Sequence, residues 1–364
     1  MFGWIAAAIS FAPVVDSATL AQWGREALDQ IRANYLVSGQ NLYTDRNVLP
    51  GQPSQPAFTW GVGVMLSALN AASRWDPKLK PLLREYADGT RVYWNSIGPV
   101  PGYDVLPCPK PVDRYYDDNA WMVMALVEAS DTLKDRKYLQ WAQETLAYVL
   151  SGEDDKLGGG IYWRESDKNG KNCCANGPSV AAMLAVYGRT KDAALLDHAE
   201  KLYSWTKEHF QDPEDHLFWD GESLSGHVEK YKWSYNTGLM LRSASELARI
   251  TRKQSYADDA SEIASSSVKH WFVPETGALN DEGKFAHLLM DAWTIFKRDL
   301  PDQASLLPDL SKPLADLHAV GRTESGFYGG RWGRKDDPKE ASFELIDQAS
   351  AVRALYEVAL SERK

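Results

Sequence analysis

Hydrophobic positions recur at helical spacing through nearly the whole chain, and no stretch shows a convincing two-residue strand alternation. Two kinds of helix alternate. Amphipathic helices are predicted over 18–35, 79–94, 135–150, 192–210 and 255–271, with 301–318 as the last of the kind; in the first, Leu20, Trp23, Ala27, Leu28, Ile31 and Tyr35 share one face. Between them come markedly apolar helices rich in small residues, beginning near Trp60, Asp118, Gly177, Asn236, Phe285 and Ile346. Their starts are about 58, 59, 59, 49 and 61 residues apart, with boundaries good to a few residues. An amphipathic–apolar pair repeated six times is a repeat architecture. Helices apolar all round suit an inner ring, and one-faced helices suit an outer ring with a wet side. Six such hairpins close into an (α/α)6 barrel, whereas an open solenoid would need atypical capping repeats that the sequence lacks. Residues 19–364 are therefore expected to form one domain.

The connections are asymmetric. Links from inner to outer helix are short, around Lys134 and Lys191, while links from outer to inner are long, Gly-rich and aromatic (98–113, 158–177, the stretch that delivers Tyr231 to Gly238, and Gly326 to Gly333). All the long loops then leave one face, at the N-termini of the inner helices, and long loops in a compact domain usually carry function. Pro178 is expected in the first turn of its helix. On the same face lies Tyr115-Tyr116-Asp117-Asp118-Asn119-Ala120-Trp121. Asp is a preferred cap residue and a carboxylate favours the positive helix end, so the loop is predicted to end, and the helix to begin, at the acidic pair.

Two carboxylates at a loop–helix junction suit glycoside hydrolysis, which places two acids about the scissile bond. Neighbouring α-carbons are about 3.8 Å apart, which favours the close spacing of a retaining enzyme over the wide spacing of an inverting one. Coupling should lift one pKa and leave a proton to donate, while the helix end opposes that rise. Isoprenoid ionisation needs acids one helical turn apart to share magnesium, but the residue four after Asp117 is Trp121. Sugar epimerisation on a helical barrel would need a base, for which His287 near an inner-helix start is the candidate.

Around the pair, Asn119 extends the polar cluster, and Asn176 and Asn236 are read as equivalent positions at their own inner-helix starts, where they either bond sugar hydroxyls or cap helices. Trp60, Tyr116, Trp163, Trp233, Tyr235 and Trp332 sit in or beside the long loops, where each either stacks on a sugar face or packs the loop. Arg331 is a partner for an acid or a sugar. The Gly runs 158–160 and 329–330 lack the strand context of phosphate loops and read as turns.

Composition narrows the field. The 14 Trp and 17 Tyr suit a core or a platform for flat ligand faces. A net charge of −10 without a Lys/Arg cluster excludes a nucleic-acid partner. Of three cysteines, adjacent Cys173 and Cys174 do not pair with each other, so one disulfide from Cys108 to either is conceivable. No CxxC occurs, and neither a metal nor a cofactor is expected. The apolar run from Ile5 to Val15 is too short to span a membrane and suits a signal-peptide core or a buried N-terminal arm within 1–18, although no Lys or Arg lies near its start. No Asn-x-Ser/Thr site occurs, and the charged Ser361–Lys364 end is unlike a lipid-anchor tail. The expectation is an exported or cell-envelope monomer.

Five segments in order carry a resemblance: Tyr-Tyr-Asp-Asp-Asn-Ala-Trp at 115–121, Gly-Gly-Ile-Tyr-Trp at 159–163, Lys-Asn-Cys-Cys-Ala-Asn-Gly-Pro at 171–178, Tyr-Asn-Thr-Gly at 235–238 and Asp-Gln-Ala-Ser-Ala-Val-Arg at 347–353. Over nearly its whole length the chain resembles glycoside hydrolase family 76. The resemblance implies an (α/α)6 barrel and retaining, endo-acting hydrolysis of α-1,6-linked mannan, with Asp117 as nucleophile and Asp118 as general acid/base. Thr237 departs from the Gln of many members. Some members act by transglycosylation in fungal walls, which makes a wall transglycosylase the alternative within the family. A non-catalytic glycan-binding barrel is the alternative outside enzymes, and the intact acidic pair argues against it.

Overall fold

The computed structural model describes residues 14–37, 39–48, 55–108, 112–334 and 342–363, so most of the expected N-terminal export segment lies outside the described residues. Helices alternate between two rings in chain order: α1 (Ser17–Asn34) outer, α2 (Thr59–Trp75) inner, α3 (Lys80–Gly89) outer, α4 (Tyr116–Leu133) inner, α5 (Arg136–Leu150) outer and α6 (Cys173–Thr190) inner. The second half repeats this with α7 (Ala193–Phe210) outer, α8 (Ser234–Thr251) inner, α9 (Gln254–Trp271) outer, α10 (Gly283–Asp299) inner, α11 (Ser311–Asp316) outer and α12 (Leu345–Ser361) inner. Each inner helix packs on the next, and α12 returns to α2, closing the (α/α)6 barrel. Small residues let the ring close tightly. At Gly238 an added Cβ would meet the Leu289 backbone at 2.9 Å, so α8 and α10 approach backbone to backbone.

The short links are one pattern used three times. Lys134, Lys191 and Arg252 end α4, α6 and α8 in the left-handed region (φ 55, 60 and 61°), each N–H closing on the carbonyl four residues back. The Asp135 and Asp192 side chains then cap α5 and α7.

Several expectations need correction. The inner helices begin one to four residues earlier than their pattern suggested, so Asp117 and Asp118 lie inside the first turn of α4, with Tyr115 in the cap position. Pro178 is the sixth residue of α6, not a first-turn residue, and its missing N–H leaves the Cys174 carbonyl without a helical partner. The outer element over 301–318 is broken into a 3-10 turn (Pro301–Leu306), α11 and a wide turn at Leu317–Gly321, because Pro301, Pro308 and Pro313 interrupt it. Among the described residues the three cysteines are free. Cys108 Sγ lies 3.2 Å from Asp104 Oδ2, while Cys173 and Cys174 are buried at the start of α6.

Strands exist where none was expected. β1 (Trp94–Asn95) pairs with β2 (Gly102–Tyr103), and β3 (Tyr162–Arg164), β4 (Asp167–Asn172), β5 (Trp219–Ser223) and β6 (Val228–Lys232) form an antiparallel sheet in that order. These strands are short and carry polar residues on both faces, so they leave no apolar–polar alternation to read. Their function is to join two neighbouring long loops into one plate, through Lys171 opposite Glu222 and Asn172 opposite Gly221. The plate is pinned from below by the fully buried Lys171 ammonium, which donates to Asp154 Oδ1 (2.8 Å) and to the carbonyls of Lys156 (2.7 Å) and Gly159. Among the described residues no helix is long and apolar enough to cross a membrane.

Candidate active site

The first turns of the inner helices share a division of labour by position. The fourth residue grips the incoming loop. Asn119 accepts from the Tyr103 N–H (2.7 Å) and donates to its carbonyl (3.0 Å). Asn176 does the same to Ile161 (2.7 and 2.9 Å), and Gln348 to Tyr328 (2.8 and 2.7 Å). In α8 the same position holds Thr237, whose hydroxyl accepts only the Phe218 N–H, at 3.3 Å. The departure at Thr237 thus weakens one loop clamp. Asn119 and Asn176 are fully buried and committed to backbone, so they are not free for sugar, and Asn236, one position earlier, is in register with Asp118 rather than with Asn176.

The second residue faces the barrel mouth. Trp60, Asp117, Cys174 and Tyr235, second in α2, α4, α6 and α8, all line one cavity of about 500 Å³. Asp118 and Phe285, third in α4 and α10, line it as well, and the plate contributes Trp163 from β3 and Asp220 from β5. One wall is aromatic, with Phe285 stacked on Tyr235 (4.6 Å between ring centroids) and on Trp60 (5.9 Å) and tilted against Trp233 (5.2 Å). Also lining the cavity, Tyr115 meets Trp163 edge-on at 5.0 Å. Phe58 and Trp163 are about half exposed at the rim (49% and 44%).

The two acids have unlike surroundings. Asp117 Oδ1 accepts the Asp118 backbone N–H at 2.8 Å, and Oδ2 accepts the Trp163 indole N–H at 2.8 Å. Burial raises its pKa; these donors, together with the Cys174 thiol, oppose the rise. Among the described residues no such donor reaches Asp118. Burial, then the Asp117 charge, then that of Asp113 all push its carboxyl well above the ordinary range. Asp113 itself is held by Arg164 (2.7 Å). One proton shared by this pair therefore rests on Asp118 and leaves the charge on Asp117.

The cavity gathers Asp117, Asp118, Trp60, Trp163, Trp233 and Tyr235 from the residues singled out in the sequence, and it excludes others. Tyr116 points outward, buried and stacked on Tyr148 (5.0 Å), because the helix begins there; Tyr115, one residue earlier in extended backbone, takes the place at the cleft. Arg331 lines a separate groove of about 480 Å³ with Arg46, Lys284 and Glu344, and Trp332 is buried over Gly283. His287 is no cleft base: it is buried in the barrel, its pKa depressed by burial and by Arg353. Sequence reasoning missed Phe285 as a wall residue, although it marked an inner-helix start, and missed Phe58, Tyr115, Cys174 and Asp220. Asp220 sits in a polar strand with no motif to mark it.

A closed ring of six helical hairpins with adjacent acids beneath an aromatic cleft defines an (α/α)6-barrel glycoside hydrolase. The model of glycosyl hydrolase family 76 matches residues 26–364, and the chain belongs to that family. It is similar to a GH76 α-mannanase of Bacteroides thetaiotaomicron, with 29% identity and a TM-score of 0.87 over 95% of this chain and 96% of that one. A putative mannan endo-1,6-α-mannosidase of Schizosaccharomyces pombe is 23% identical over 82% of this chain and 73% of its own length. A mannan endo-1,6-α-mannosidase of Candida glabrata is 30% identical, but the match spans only 41% of this chain and 37% of that protein. An inactive variant of a Salegentibacter sp. HEL1_6 α-1,6-mannanase, in complex with α-1,6-mannotriose, shares the fold at 23% identity and a TM-score of 0.81, over 94% of this chain and all of that one (100%).

Proposed function

We propose that the protein is a retaining, endo-acting α-1,6-mannanase in which Asp117 is the nucleophile and Asp118 the general acid/base. The observation that carries the assignment is the unequal hydrogen bonding of the pair: donors converge on Asp117 and, among the described residues, none reaches Asp118. In the first step Asp118 gives its proton to the glycosidic oxygen while the Asp117 carboxylate attacks C1, so the C1–O bond breaks as a glycosyl ester forms. In the second, Asp118, now ionised, takes a proton from water as that water attacks C1 and releases Asp117. The N-terminus of α4 stabilises the anion at Asp117 in the resting state and after release. Trp163, Trp60 and Trp233 offer faces for apolar sugar surfaces, and the half-exposed rim leaves room for chain on either side.

Support for the substrate comes from the relatives, among which the Salegentibacter enzyme has been trapped with α-1,6-mannotriose after two consecutive aspartates were replaced. Export of the protein or a cell-envelope location, activity without a cofactor and a monomeric state belong to the same reading. The test is incubation with linear α-1,6-mannan, following product length and anomeric configuration. Short oligomers with retained configuration, absent with Asp117→Asn and Asp118→Asn, are expected. Products longer than the starting chains would move the reading to transglycosylation, and binding without turnover would leave a glycan-binding barrel.

A further inference from the structure

A third carboxylate, Asp220, lines the same cavity beside Trp233 of the aromatic wall. It is the second residue of β5, in the plate whose first strand carries Trp163. Other covered acids near this end of the molecule have a cation or backbone and amide donors: Asp113 has Arg164, Glu165 has Arg114, Asp154 has Lys171, Asp104 accepts from Asn95 and the Asp113 N–H, and Asp281 accepts from the Ser234 and Glu282 N–H groups. Asp220 has no cation among the described residues; burial, and next the Glu229 charge, raise its pKa, and what opposes them is the Asn236 amide and the Trp233 side chain. Asn236 is fully buried, and its amide makes no hydrogen bond of normal geometry elsewhere. A half-covered carboxylate without a counter-charge costs stability unless further donors reach it. Neither residue takes part in the two-step chemistry derived above.

The missing partners have a definite chemistry. An ionised carboxylate offers only acceptor sites, about four in all, so what satisfies it must donate. A sugar ring lying between the Asp117 nucleophile and the plate presents adjacent hydroxyls, each a donor. We propose that Asp220 is a specificity-determining residue whose carboxylate accepts hydrogen bonds from adjacent ring hydroxyls of the mannose unit bound beside Asp117, with Asn236 orienting it. This rests on the mannanase reading and adds which group selects the sugar. Because those hydroxyls are bound in the resting complex as well as during reaction, Asp220 acts mainly on affinity and on discrimination between epimers, and only secondarily on turnover.

The test uses the full chain. In an Asp117→Asn/Asp118→Asn background, calorimetry with α-1,6-mannotriose should show binding that Asp220→Ala weakens about 10- to 100-fold, the range expected for charge-assisted bonds. Asp220→Asn, which keeps shape and one acceptor, should lose less, and matched melting curves would confirm folding. The decisive arm is mannotriose lacking the 2- or the 3-hydroxyl. At least one analogue should bind the parent weakly and be no weaker still with Asp220→Ala, since residue and hydroxyl remove the same bond. Losses that simply multiply for both analogues would overturn the proposal. So would unchanged affinity with abolished turnover in otherwise wild-type protein, which would give Asp220 a part in the chemistry. If the parent does not bind α-1,6-mannotriose at all, the substrate reading fails and the proposal with it.

Discussion

The two mouths of the barrel both line a cavity with acids but surround those acids differently. At the C-terminal ends of the inner helices a cavity of about 930 Å³ is lined by charges that answer one another. Asp291 lies 3.1 Å from both Arg242 and Arg353, Arg353 reaches Glu128 at 3.7 Å, and Arg74 pairs with Glu357. Burial alone would raise the Asp291 pKa, but Arg353 and Arg242 outweigh it and the carboxyl is held below its ordinary value. At the N-terminal mouth, Asp117 and Asp118 meet each other, an indole and a thiol, Asp220 meets Asn236 and Trp233, and all three are raised. Size does not separate the two, since the paired mouth has the larger cavity. What separates them is compensation: a buried acid with a cation has been settled into the structure, whereas one without a cation is kept available for chemistry.

The contrast is broken most severely at the acidic pair. Asp117→Asn should lower kcat/KM on α-1,6-mannan by about 10⁴-fold or more, and Asp118→Asn by about 10²–10⁴-fold, both measured on protein with a native circular dichroism spectrum. At the other mouth the corresponding change acts on folding. Asp291→Ala strands two arginines and should cost about 3–5 kcal/mol in urea unfolding, with specific activity of the folded fraction preserved. The opposite sign is expected when Asp118→Asn is melted. A carboxyl whose folded pKa lies above its ordinary 3.8 favours the fold only while protonated, a contribution complete below about pH 4 and lost as pH rises through the folded value. The variant should therefore match the wild type near pH 4 and gain over it with rising pH, by about 1–2 kcal/mol. Smallest, Trp163→Phe keeps the ring but removes the donor to Asp117 Oδ2; kcat/KM should fall about tenfold and the acidic limb of the pH profile move upward. An unmoved limb would mean that the indole only packs.

The inner ring was legible because helices such as α2 and α12 are apolar on every side, and few other arrangements hide them. The acidic pair was legible because a doublet at a loop–helix junction is rare in form and specific in neighbours. The rest failed for physical reasons that can be named. A one-residue shift in the start of α4 exchanges Tyr116 for Tyr115 at the cleft, and no pattern in the sequence fixes a helix start that finely. Asn119 and Asn176 looked like ligands because a side-chain amide that grips a backbone has the same composition as one that grips a sugar. Asp220 was invisible because no local motif marks it; strand pairing between two separate loops brings it into the cavity that Trp163 and Asp117 also line.

The grip of Asn119, Asn176 and Gln348 on single loop residues has a consequence for how such an enzyme diversifies. Each loop is moored to the scaffold at one backbone peptide by a side chain that belongs to the helix, so its attachment is indifferent to the loop's own sequence. Insertions, deletions and exchanges between moorings can then reshape the rim while Asp117 and Asp118 keep their place. The barrel works as a socket with standard fittings, and new specificities can be mounted on it without retuning the machinery beneath.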